Sequence, residues 1–116
     1  MKRDMELVRK LLFFAEADRK DDELCEEYGL DVVAGHVAIL LDAGLIVGSA
    51  PAGQSGRPIA SDIIRLTWAG HEFLDNARND KVWNRVMATV KNAVTTVSFE
   101  VLVEMLKAGV LAAIQK

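Results

Sequence analysis

Apolar residues recur at three- and four-residue steps from Arg3 to about Ala17, with Met5, Val8, Leu11, Leu12 and Ala15 on one face and Arg9, Lys10 and Glu16 on the other. That period predicts an amphipathic helix. The next stretch, RKDDELCEEYG, is acidic and has no clear period, so residues 22–28 read as a helical turn or as a short edge strand. A second helix is predicted from Asp31, an N-cap type, with Val33, Val37, Leu40 and Leu41 turned inward. It stops at Ala43-Gly44, where glycine takes the left-handed position beyond a helix end. The strand LIVGSA follows at once, PAGQSGRP reads as a flexible loop, and SDIIRLT is a β-branched second strand.

Further on, WAGHEFLDNARND sets Ala69, Phe73 and Ala77 on one face, and KVWNRVMATVKNAV does the same with Val82, Val86 and Val90. These are two helices, or one bent near Asn79-Asp80. The last segment opens with the cap candidate Ser98 and is apolar almost all round, interrupted by Glu100, Glu104 and Lys107, so it needs cover on more than one side. The elements sum to an α+β fold. Residues 1–80 are expected to make one domain, a helix followed by a β-hairpin wing, and residues 81–116 a C-terminal helical extension that is the candidate dimerisation segment.

Composition narrows the classes. A chain of 116 residues with 51% hydrophobic and 27% charged residues supports one self-sufficient core. Its net charge of −3 speaks against a dedicated nucleic-acid binder, yet the charge is uneven: residues 1–30 carry −3 and residues 81–116 carry +3. Cys25 is the one cysteine, so no internal disulfide forms and a reducing cytoplasm is the expected compartment. The start MKRDMELVRK lacks a signal-peptide core and the longest late apolar run, AGVLAAI, is far short of a membrane span, so no membrane partner is expected. Two distant histidines, with no HExxH, Walker loop, GxGxxG or GxSxG, give no basis for an enzyme, a metal site, a cofactor or a small-molecule substrate.

At HVAILLDAGLI the chain resembles winged-helix transcription regulators of the arsenical-repressor type, through His36, Val37, Leu40, Ala43, Gly44, Leu45 and Ile46. The resemblance has physical content: Leu40 locks the helix to the core, Gly44 ends it, and Leu45-Ile46 begin the strand. Over nearly its whole length, from MKRDMELVRKLL through RLTWAGHEFLDNARNDKVWNRV to SFEVLVEMLK, the chain also resembles a bacterial and prophage family, domain-of-unknown-function family 2513. That resemblance implies a winged-helix fold and a bacterial or phage setting, and no biochemical activity. One departure stands out: base-reading helices expose Ser, Thr, Gln, Asn or Arg, whereas this one offers Ala34, Gly35, Ala38 and Asp42, leaving His36 as its only donor.

The DNA-contact candidates are therefore His36, Arg57 in the glycine-rich loop, and Arg78, Lys81 and Arg85, which form one basic stripe if their helix is continuous. Each has a plainer reading: a hydrogen-bonded histidine at the edge of the apolar stripe, a solvated loop arginine, and the wet face of an amphipathic helix. The dimer candidates are Phe99, Leu102, Met105, Leu106 and Leu111. Two functions are expected from different classes: a homodimeric regulator that binds double-stranded DNA, or a protein-interaction adaptor that keeps the winged helix as a scaffold.

Overall fold

In the computed structural model, which describes residues 1–115, the first helix begins at a carboxylate. The Asp4 side chain accepts from the backbone N–H of Glu6 at 2.9 Å and of Leu7 at 3.3 Å, which satisfies donors that the first turn leaves without partners. Helix α1 (Met5–Glu16) then buries Leu7, Val8, Leu11 and Leu12. Residues 22–28, open between helix and strand in the sequence, are helical: α2 (Asp22–Tyr28) buries Leu24 alone. Its periodicity is silent because a seven-residue helix with one inward residue has no stripe to show.

Gly29, at φ 94°, is both the end of α2 and the cap of α3 (Leu30–Asp42). A left-handed residue lets the chain turn sharply between two helices, which a side-chain-bearing residue adopts only at a cost. Helix α3 therefore starts at Leu30, and Asp31 lies in its first turn rather than at the cap. Its far end is as predicted. Gly44, at φ 72°, donates to Leu41 O at 3.0 Å, and Leu45 donates to Leu40 O at 3.0 Å, the paired bonds of a Schellman ending.

Strand β1 (Ile46–Ser49) pairs antiparallel with β2 (Asp62–Leu66) in a two-stranded sheet. The register passes from Val47↔Arg65 to Gly48↔Ile63, so Ile64 is the extra residue of a bulge, and it is 65% exposed. An Ala52↔Pro58 bridge carries the hairpin outward, and Gly53 N–H closes the tip on Arg57 O at 2.8 Å. Thr67 ties the hairpin's base back to α3: its hydroxyl donates to Gly44 O at 2.6 Å and accepts from Gly70 N–H at 3.0 Å.

Two compact units divide the chain, residues 1–71 and residues 72 onward, and helix α4 (Trp68–Ala77) runs across the division. In the second unit α4 does not continue into α5 (Asp80–Lys91), because Asn79 caps a new helix by accepting from Val82 N–H at 3.1 Å. The alternative of one bent helix is thereby settled as two. Helix α6 (Phe99–Ile114) starts at Ser98, whose hydroxyl accepts from Val101 N–H at 3.3 Å, as the sequence predicts. Trp83, Val82 and Val86 of α5 and Leu102 and Leu106 of α6 are buried, and the Phe73 and Phe99 rings stack with centroids 5.3 Å apart. The described residues thus form an α+β protein of six helices and one small hairpin, an order compatible with a winged helix.

Candidate functional site

Helix α3 and the hairpin loop present the face on which a reading head would lie. His36 is absent from it. The imidazole is fully buried; Nδ1–H donates to Val32 O at 2.8 Å and Nε2 accepts from the Asp4 backbone N–H at 2.8 Å, which fixes a neutral ring. His36 is thus corrected from a DNA-contact candidate to a core tie between α3 and the residue that caps α1. Both ring nitrogens are spent inside, so neither a base nor a phosphate is within its reach.

What α3 does expose is Leu30, Asp31 and Asp42, with Val32, Ala38, Ile39 and Leu41 half-buried. From Asp21 to Gly56 the sequence contains no lysine or arginine and seven carboxylates: Asp21, Asp22, Glu23, Glu26, Glu27, Asp31 and Asp42. Helices α2 and α3 lie wholly inside this stretch. Two of the carboxylates are engaged from elsewhere. Lys10 lies 3.2 Å from Glu27 and donates to the Tyr28 hydroxyl at 3.0 Å, and these bonds, Tyr28's first, raise its ammonium above the ordinary 10.5. Arg19 pairs with Glu23 at 3.0 Å while its guanidinium lies 4.0 Å over the Phe14 ring. Cys25 of α2 is half-buried; burial, then the charges of Asp21 and Asp22, push its thiol above 9.0, the opposite of what activates a nucleophile.

Two grooves flank these helices in the first unit. One, of about 560 Å³, runs between α3 and the hairpin loop. Its floor is Val32, Gly35 and Ala38, its far wall Pro58 and Ile59, and Asp31 and Arg57 stand on its rim. Gly35 is a flat spot: a Cβ there would meet the Met1 sulfur at 2.6 Å. The other groove, of about 390 Å³, runs between residues 18–22, at the α1–α2 connection, and residues 61–64 of the hairpin, over Leu11, Phe14 and Ala15.

The remaining basic candidates scatter. Arg57 is exposed in the hairpin loop, as expected. Arg78 falls in the break before α5 and pairs with Asp75 at 3.1 Å, so the three-residue stripe is corrected to two, Lys81 and Arg85, both exposed on α5. The cap at Asn79 is the physical reason. Among the dimer candidates, Leu102 and Leu106 are corrected: both are buried within the chain's own second unit, and Phe99 is half-buried against Phe73. Met105 is half-buried, and Leu111, 56% exposed, stays on the surface with Val101 and Ile114. Among the described residues no group of three or more His, Cys, Asp or Glu is placed to hold a metal, and no helix is long and apolar enough to cross a membrane.

Comparison with known proteins places this chain in a family. An α+β chain with a short hairpin after a helix pair is what the geometry defines. The chain belongs to the family of hypothetical proteins DUF2513, whose model matches residues 2–97 and so ends just before α6. A protein of Haemophilus influenzae, described as an uncharacterized protein, is 32% identical over 107 residues, which span 88% of this chain and 89% of that protein. No solved structure matches the chain.

Proposed function

We propose that residues 1–71 form a winged helix that serves as a protein-docking module, an adaptor, rather than as a reader of DNA sequence. The observation that carries this reading is the charge of the helix pair. A helix-turn-helix reader sets its two helices against phosphates, and each phosphate it neutralises takes a lysine or arginine. Here α2 and α3 carry seven carboxylates with their caps and no cation, and the one histidine of α3 is buried. Such a surface repels a duplex and attracts a cationic protein. Exposed Leu30 and Ile59, at 54% and 60%, add the apolar area that protein partners bury.

A second reading, a DNA-binding regulator, draws on exposed Arg57 in the hairpin loop and on Lys81 and Arg85 along α5. Fluorescence anisotropy with random duplex DNA at several salt concentrations separates the two. The docking reading expects no measurable affinity even at about 50 mM salt, where phosphate contacts are strongest. Binding whose logarithm falls linearly with log salt, and which weakens when Arg57 and Arg85 are both changed to alanine, overturns it in favour of the regulator.

A further inference from the structure

Among the described residues strand β2 has a ladder on one side only, because the sheet has two strands in the order β1-β2. Its second edge lies along a groove. Ser61, Asp62, Ile63 and Ile64 line that groove consecutively. Side chains of successive strand residues point to opposite faces, so Asp62 and Ile63, which precede the bulge and both border the groove, present it with their backbone edge. An edge left open is ordinarily blunted by a bulge, a charge, a proline or a covering segment, since its N–H and C=O groups template another strand. The bulge at Ile64 and the charge of Asp62 stand here, yet the nearby segment 18–22 forms no ladder with β2 and remains across the groove.

We infer that this slot is a strand-addition site for an extended peptide of a partner protein that carries lysine or arginine beside apolar residues. The inference rests on the docking reading above and gives it an address. An added strand would pair its backbone with residues 61–64 and set one series of alternate side chains over the half-buried Phe14 and Ala15. The charge of the walls selects the occupant. Asp18, Asp21, Asp22 and Asp62 border the slot; of its two cations, Arg19 is already held by Glu23 and by the face of Phe14, which leaves Lys20.

The test uses the full chain and a displayed library of random nine-residue peptides, followed by titration of the enriched peptides, made synthetically, into ¹⁵N-labelled protein. The expected peptides alternate apolar residues with lysine or arginine, shift the amides of residues 18–22 and 61–64, and bind at least tenfold more weakly when alternate peptide amides are N-methylated. The Asp62→Lys variant, altered at an exposed position, is expected to bind at least tenfold more weakly with its thermal midpoint little changed. Peptides that shift the amides of Val32, Ala38 and Ile59 instead overturn the strand site and leave the docking reading standing. Affinity indifferent to N-methylation also overturns the site, and a library that yields no binder overturns both.

Discussion

A single imidazole decides how the N-terminal helix is held. His36 joins Val32 O within its own helix to the backbone N–H of Asp4, thirty-two residues earlier, and the same Asp4 caps α1 with its side chain. The residue that starts one helix is thus fastened to the middle of another. His36→Ala removes a fully buried ring and leaves the Asp4 N–H without its acceptor, so urea unfolding should show a loss of about 2–4 kcal/mol. A role in binding would instead lower affinity while leaving stability alone. The sequence marks His36 as notable, but its burial depends on a partner distant in the chain that no local period reveals. Cys25 offers a second test at this scale. Burial and the carboxylates of Asp21 and Asp22 favour the neutral thiol, so the reactive thiolate is scarce below the raised pKa and accumulates only as pH rises through it. Iodoacetamide at pH 8 should therefore modify the native chain more slowly than the urea-unfolded chain, the gap closing at higher pH; equal rates at pH 8 would contradict this.

Among the elements, α6 shows how hydrophobicity and burial part company. The helix is apolar almost all round, and the sequence assigns Leu102, Leu106 and Leu111 alike to a partner. Packing inside the second unit takes the first two and leaves the third 56% exposed. Leu106→Ala should accordingly cost about 2–5 kcal/mol in denaturant unfolding. Leu111→Ala should change stability by no more than about 0.5 kcal/mol. Similar losses for the two would mean that Leu111 is covered in solution. The helices, the hairpin and the glycine ending of α3 are legible in the sequence because each has a local cause: a period of 3.6, a β-branched run, or a residue suited to positive φ. The nature of α2 is not, since its own pattern has only Leu24 turned inward and Lys10 of α1 holds it from outside. The place of the break between α4 and α5, near Asn79-Asp80, is legible too, but the choice between a bend and two helices rests on the capping bond of Asn79.

Across the whole molecule, a net charge of −3 conceals a sharper division. All fourteen lysines and arginines lie outside residues 21–56. This feature is plain in the sequence once the helix pair is located, yet the sum over residues 1–30 dilutes it with the six cations that precede Asp21. The slot beside β2 is of the other kind: its walls come from α1, the connection after it, and the hairpin, and only the folded chain brings them together. The carboxylate-rich stretch also governs which reagents can see this protein at work. Amine-directed cross-linkers find no lysine anywhere on α2 or α3, so a contact made there would leave no trace in such an experiment. Carbodiimide activation finds seven carboxylates on the same stretch, and a lysine that a partner brings against them would be captured as a zero-length amide.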